Sequence, residues 1–200
     1  MPQYAYPTSD VSNDGWATAP LWSKIDEEPA NDDTDYVSSP LHANNRAYTV
    51  ALGDVGDPSI HTGHILSYRL WGDNPNEYFK VELLQGVVVI HSTGNFKLTP
   101  ANAWVTYSFT LTEGEAAAIT DYLDLNVRLT AGAAGAIIYR QYTTWIRLEV
   151  PDVSKVRNLK VKVSGVWTPV VAVKVKVSGA WVPVKVSARV NGEWKTIHEN

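Results

Sequence analysis

From Tyr36 onward, apolar and polar residues alternate along most of the chain, and the alternation comes in runs of six to ten residues punctuated by turn formers. In "RAYTVALG" Tyr48, Val50 and Leu52 share one parity, and in "HILSYRLWG" Leu66, Tyr68 and Leu70 share one against Ile65. A period of two is the signature of a strand with one buried face. "YFKVELLQGVVVIHS" joins two β-prone runs through Gln85-Gly86, where glycine supplies the positive φ of a tight hairpin. In "WVTYSFTLT" Val105, Tyr107, Phe109 and Leu111 oppose Trp104, Thr106, Ser108 and Thr110, and "LNVRLTA" and "AIIYRQYTTWIRLEV" complete the series. Helical spacing is confined to "EGEAAAITDYL", through Ala117, Ala118 and Tyr122, and to a short face of Leu21, Trp22 and Ile25 that Pro29 ends. Roughly seven or eight strands in about 135 residues predict an all-β domain, a jelly-roll-like antiparallel β-sandwich.

The same pattern divides the chain. Residues 1–15 are polar, hold Pro2, Pro7 and the turn cluster "DVSNDG", and read as an extended arm. The sandwich occupies 16–150, and "PDVSKVRN" makes 151–159 a polar linker. Residues 160–200 repeat themselves: Gly165, Gly179 and Gly192 follow one another at 14 and 13 residues, and Trp167, Trp181 and Trp194 keep the same intervals. With a two-residue turn at Ser164-Gly165, Val163 pairs with Val166 and Lys162 faces Trp167. The later copies set Lys176 against Trp181 and Arg189 against Trp194. A cation lying over an indole contributes ~0.5–1 kcal/mol.

The opposite face of these three hairpins is valine: Val161, Val163, Val166 and Val170, then Val173, Val175, Val177 and Val184. An isolated hairpin is marginally stable, and three have too little mass for a two-layer core. Val161, Val163, Val173, Val175, Val177 and Val184 are therefore expected to form an assembly interface, and the chain a homo-oligomer, with a trimer among the forms open to it. Pro169 and Pro183 limit further edge pairing.

The hairpins of the type "VKVSGVWTPV", together with "LWSKIDEEPANDDTDYV", "VELLQGVVVI", "TLTEGEAAAITDYLDLNVRL" and "WIRLEVP", resemble segments of tailed-bacteriophage virion surface proteins: head-decoration, head-fibre or tail-associated β-sandwich proteins. The resemblance implies a non-enzymatic structural protein, attached to a repetitive particle through other virion proteins and located on the virion. It transfers no functional residues.

Composition narrows the chemistry. A net charge of −4 and a pI near 5.7 over 200 residues leave no overall positive excess to track a phosphate backbone, so nucleic acid is not an expected partner. The absence of cysteine removes disulfides, thiol catalysis and thiolate metal sites. No stretch reaches the ~20 apolar residues of a membrane span, and "MPQYAYPTSD" lacks the features of a secretory signal, so synthesis in the host cytoplasm without membrane insertion is expected.

Each local candidate has a plain structural reading beside it. Asp10, Ser12 and Asp14 open like a calcium loop, but Leu21 stands where the twelfth-position acid belongs, which favours an ordinary turn. Asp26, Asp32, Asp33 and Asp35 lie in an acidic run that either pairs with Arg46 or Arg69 in a solvated loop or holds calcium. "HTGH" offers His61 and His64 without a third zinc ligand. No catalytic signature appears, and no cofactor is expected. Eight Trp and ten Tyr against three Phe suit either half-wet strands or a binding surface. Among Trp16, Trp22, Trp71, Trp104 and Trp145, Trp71 is the expected glycan contact, because turn residues follow it in "RLWGDNPNEY". The alternative function is thus a carbohydrate-binding module that recognises host-surface glycans.

Overall fold

The computed structural model describes residues 1–17, 19–26, 33–41, 44–133 and 140–152, and six strand segments between 160 and 198. The chain divides into two units, Met1–Val153 and Ser154–Asn200. Among its described residues the first unit holds ten strands: β1 (Gln3–Ala5), β2 (Pro7–Asn13), β3 (Val37–Ser38), β4 (Arg46–Leu52), β5 (Ile65–Gly72), β6 (Glu77–Gln85), β7 (Val88–Ser92), β8 (Val105–Thr110), β9 (Leu125–Ala133) and β10 (Gln141–Val150). They form two five-stranded antiparallel sheets. One runs β1-β10-β5-β8 with β3 also on β10, and the other runs β2-β4-β9-β6-β7. After β4 the chain crosses repeatedly between the sheets, which makes a sandwich rather than two meanders.

The core is the sum of the predicted faces. Tyr48, Val50 and Leu52 of β4, Leu66, Tyr68 and Leu70 of β5, Phe79, Val81 and Leu83 of β6, and Val127, Leu129 and Ala131 of β9 are all buried at period two. Tyr107 and Phe109 of the edge strand β8 are half-buried and pack against this core. The hairpin between β6 and β7 turns one residue later than the sequence suggests: Gln85 pairs with Val88, and Gly86 (φ 56°) and Val87 make the turn.

The N-terminal stretch is not a free arm. β1 pairs with β10, Gln3 opposite Val150, and β2 pairs with β4, Pro7 opposite Leu52, so two successive strands tie the two sheets together. Two-residue polar alternation does not mark them, because β2 lies on an edge and shows most of its side chains to solvent. Asp10 on β2 serves as a cap. Its carboxylate accepts from the Leu21 and Trp22 amides at 2.9 and 2.8 Å, the free N–H groups of a 3-10 turn over Trp22–Lys24. That turn buries Leu21 and Ile25 completely, as the sequence predicts. Asp14 pairs with Arg46 at 2.7 Å. The short helix α1 (Glu113–Ala117) is closed by a capping box between Thr112 and Glu115. Its inward residue is Ala116, and Ile119 and Tyr122 in the turn after it are buried too; of the expected face Tyr122 is inward, while Ala117 and Ala118 face solvent.

The second unit contains three two-stranded antiparallel hairpins: β11 (Lys160–Val163) with β12 (Val166–Pro169), β13 (Lys174–Val177) with β14 (Ala180–Pro183), and β15 (Val186–Val190) with β16 (Glu193–His198). Their backbone registers set Val163 opposite Val166, Lys162 opposite Trp167, Lys176 opposite Trp181 and Arg189 opposite Trp194. Val173 and Val184 of the expected assembly face, with Val170, lie outside the described residues.

Replacing Asp10 by alanine leaves two backbone donors of the Trp22–Lys24 turn without their acceptor. Hydrogen bonds to a charged group contribute about 1.5–3 kcal/mol, so Asp10→Ala should lower the unfolding free energy by about that amount in urea titration. An unchanged midpoint would mean that the cap is dispensable.

An aromatic cleft on the outer face of one sheet

Strand alternation that sends Leu66, Tyr68 and Leu70 inward sends Arg69 and Trp71 to the outer face of the same sheet. Tyr142 of β10 is the register partner of Trp71 and so emerges on the same face, with ring centroids 4.9 Å apart. Trp104, one residue before β8, brings its ring to 6.4 Å from Trp71 and 6.5 Å from Tyr142. Tyr36, just ahead of β3, completes the group at 5.2 Å from Tyr142 and 6.2 Å from Trp104. With Asp33 these four rings line an open pocket of about 220 Å³. Exposed aromatic surface that does not reach the core calls for a binding explanation more than an isolated ring does.

The pocket is built, not incidental. A bulge in β10 between Thr143 and Trp145 lets Thr144 donate its hydroxyl hydrogen to the Asp35 carbonyl at 2.8 Å, and the Ile146 amide donates to the Ile25 carbonyl at 3.1 Å. Lys24 pairs with Asp35 at 3.1 Å, and the Ser39 amide donates to the Gln141 carbonyl at 2.8 Å. The described residues between β2 and β3 are thereby fixed on β10, which sets Tyr36 and Asp33 in place. Arg69 holds Asp33 through two parallel bonds, Nε to Oδ1 at 2.6 Å and Nη2 to Oδ2 at 2.8 Å, while its Nη1 donates to Thr106 at 3.1 Å. The same guanidinium lies 6.0 Å from the Trp104 ring centroid.

Behind the rings sits a buried acid. Glu77, 3% exposed, accepts from the Asn74 amide at 3.1 Å, and burial, reinforced by the Asp73 carboxylate, pushes it up to about 7. Asp73 in turn accepts from the Arg140 amide at 3.1 Å. Burial, then the nearby Asp73, raises the Tyr142 hydroxyl above its usual range, so it stays a neutral donor at neutral pH.

The sequence-stated candidates separate clearly in space. Trp71 lies in the pocket, and Trp104 joins it there. Trp16 and Trp145 are buried at 3% and 2%, Trp16 edge-on against Tyr48 at 4.7 Å, and Trp22 packs on the core. Asp33 and Asp35 are held by Arg69 and Lys24, Asp32 lies outside the described residues, and no group of three metal-ligating side chains occurs among the described residues. His61 is exposed, whereas His64 is fully buried with Nε2 2.8 Å from the Tyr122 hydroxyl, and burial lowers its pKa. The two histidines thus occupy different environments. Tyr36 and Tyr142 were not assigned to a ligand by the sequence, whereas Asp33 was offered either as a calcium ligand or as an ion-pair partner of Arg46 or Arg69, and it pairs with Arg69. The available signal was parity, since Arg69 and Trp71 share one, but the bulge that realigns Tyr142 leaves no trace in composition.

No protein-family model matches the chain, and no curated protein does. Among solved structures, similar ones include the C-terminal CBM6 of LamC, a marine laminarinase from Zobellia galactanivorans, with 16% identity over 74% of this chain and 98% of that chain and a TM-score of 0.42. The carbohydrate-binding module CBM6cm-2 of Cellvibrio mixtus lichenase 5A, in complex with cellotriose, shares 15% identity over 73% of this chain and 95% of that one, with a TM-score of 0.39. A Stig cyclase, Fisc from Fischerella, shares 16% over 68% and 85%, with a TM-score of 0.37. These neighbours, mainly carbohydrate-binding modules, are similar in β-sandwich architecture. Among the described residues no helix is long and apolar enough to cross a membrane.

Glu77 makes a prediction about pH. Its folded-state value lies above the ordinary 4.5, so as pH rises from about 4.5 to about 7 the unfolded chain loses this proton before the folded one. Stability from this group is therefore complete at low pH and falls across that window. Urea unfolding of the parent should lose free energy relative to Glu77→Gln between about pH 5 and pH 7.5. Parallel curves for the two proteins would show that Glu77 titrates normally.

Proposed function

We propose that the chain is a carbohydrate-binding protein whose sandwich takes a sugar ring in the cleft of Tyr36, Trp71, Trp104 and Tyr142. The observation that carries this reading is the cleft itself: four half-exposed rings from separate segments meet one hydrogen-bonding edge, Asp33 held by Arg69. A pyranose has an apolar C–H face that stacks on an indole and hydroxyl groups around its rim. Asp33 accepts from such hydroxyls, and the Tyr142 hydroxyl serves as donor or acceptor. Pockets for small ligands combine apolar walls with a few placed polar groups in this way.

Binding is favoured over cleavage. Glycoside hydrolysis uses two carboxyl groups at a set separation across the bond. Among the described residues a single carboxylate lines the pocket, and it is already ion-paired. The virion setting implied by the phrase resemblance would put this cleft on a particle surface facing host glycans, with other virion proteins as neighbours and the C-terminal hairpins as the assembly element. In that setting Val161, Val163, Val173, Val175, Val177 and Val184 form the interface between copies.

Two measurements test these readings. In calorimetric titrations against a panel of soluble neutral oligosaccharides, Trp71→Ala and Trp104→Ala should each weaken binding tenfold or more, about 1.4 kcal/mol, while the melting temperature of the sandwich changes little. Binding that survives both substitutions places the ligand elsewhere. For assembly, light scattering should show an oligomer that Val175→Asp disperses, because an unpaired carboxylate in an apolar interface costs several kcal/mol. A Val175→Asp protein of unchanged size would remove valine from the interface.

A further inference from the structure

The net charge of −4 conceals a separation. Ser154–Asn200 carries nine Lys and Arg against two Glu, a formal +7, whereas Met1–Val153 carries eight Lys and Arg against nineteen Asp and Glu, a formal −11. A short basic unit on an otherwise acidic chain is the electrostatic footprint of a polyanion site. The whole-chain average, which argues against polyanions, does not apply to this unit alone.

The positions of these charges follow the repeat. By strand alternation Lys160, Lys162, Trp167 and Pro169 fall on one face of the first hairpin, and Lys174, Lys176, Trp181 and Pro183 on the matching face of the second. In the third, Arg189 and Trp194 keep the register and Ser187 and Thr196 take the flanking places. Each hairpin thus offers the same juxtaposition, a cation opposite a tryptophan, at intervals of 14 and 13 residues along the chain. Assembly through valine leaves this face unassigned. Three equal, weak subsites in tandem suit a ligand that itself repeats, since linked sites gain affinity through effective concentration.

We infer that the C-terminal hairpins bind an acidic polysaccharide, through Lys162, Lys176 and Arg189 for its carboxylates and Trp167, Trp181 and Trp194 for its sugar rings. The choice of polysaccharide over nucleic acid rests on the proposed function of the sandwich, because a glycan polymer would engage both units of one chain. It also follows from charge density. Duplex DNA presents one charge per ~1.7 Å of axis, which the acidic sandwich opposes more strongly than a polymer with one charge per sugar.

The test uses the full-length protein and polygalacturonate, with a neutral oligosaccharide and a mixed-sequence DNA duplex as comparison probes. Polygalacturonate affinity should fall at least tenfold between about 50 and 200 mM salt, as expected when several bound counterions are released. The triple variant Lys162→Gln/Lys176→Gln/Arg189→Gln should lose at least tenfold at low salt and keep neutral-oligosaccharide binding. Trp167→Ala/Trp181→Ala/Trp194→Ala should do the same, and the triple Trp→Phe variant should recover most of the loss. Trp71→Ala reports on the cleft separately: it should abolish neutral-oligosaccharide binding and leave the salt-sensitive polygalacturonate binding. Polygalacturonate binding that is absent, or unchanged in the triple Gln variant, overturns the inference whatever the cleft does. Tighter binding to DNA than to polygalacturonate, insensitive to the Trp substitutions, assigns the hairpins to nucleic acid and overturns it as well.

Discussion

The antiparallel pairing of β5 with β10 sets Leu66 opposite Leu148, Tyr68 opposite Ile146 and Trp71 opposite Tyr142. One register thus commits one side of both strands to the core and the other to the cleft. Side chains alternate with a period of two, so a slip of β5 by one residue would turn Leu66, Tyr68 and Leu70 toward water and drive Arg69 and Trp71 into the apolar interior. The cost of burying an unpaired guanidinium there makes the slipped state inaccessible. The energy that holds the core therefore also holds the two strands that carry Trp71 and Tyr142. The bulge at Thr144 refines this arrangement, for without the extra residue Tyr142 and Trp145 would not both meet their β5 partners on the outer face.

Arg69 is the second constraint. It sits on the strand that orders the cleft, it reaches Asp33 in the loop that closes it, and its plane lies near Trp104 on the third side. A bidentate pair costs less side-chain entropy per bond than a lysine contact would, and both partners here are about a quarter to a third exposed, so solvent screening keeps the pair modest in energy. Its value is geometric. Asp33 presents its carboxylate edge to the pocket in one orientation, a requirement for choosing among hydroxyl groups that differ only in direction.

The sandwich was legible wherever burial alternates. Tyr48, Val50, Leu52, Leu66, Tyr68 and Leu70 declared their faces because a half-buried strand must separate its residues by parity. The N-terminal strands were not, since β2 lies at an edge and pairs through backbone groups that any sequence carries. Asp10 opened a calcium-loop pattern that Leu21 broke at the twelfth position, which favoured a turn from the sequence alone; that its carboxylate caps the Leu21 and Trp22 amides eleven and twelve residues on was not legible, because it depends on where those residues lie in space. Trp71 was legible as a surface residue through the turn formers after it. Asp33 was legible as a loop acid within reach of Arg69, but its meeting with Tyr36 and Tyr142 was not, because that depends on a bulge and on a loop held by Thr144, both tertiary facts.

On the proposed reading, the two units divide recognition between different physics. Five of the eight Lys and Arg of the sandwich, Lys24, Arg46, Arg69, Lys80 and Arg128, pair with Asp35, Asp14, Asp33 and Glu82, so on that reading its cleft works through ring stacking and short hydrogen bonds that salt barely alters. The hairpin unit, with two acids for nine cations, has no such internal balance available within its own sequence. Its charge must be compensated by mobile counterions or by a ligand, and release of those counterions gives a long-range attraction without much selectivity. A chain that joins the two can capture a polymer at a distance through one unit and read an individual sugar through the other. If the hairpins do take a polyanion, the acidic excess on the sandwich would set its selectivity, because a densely charged polymer meets repulsion from the same chain that attracts it.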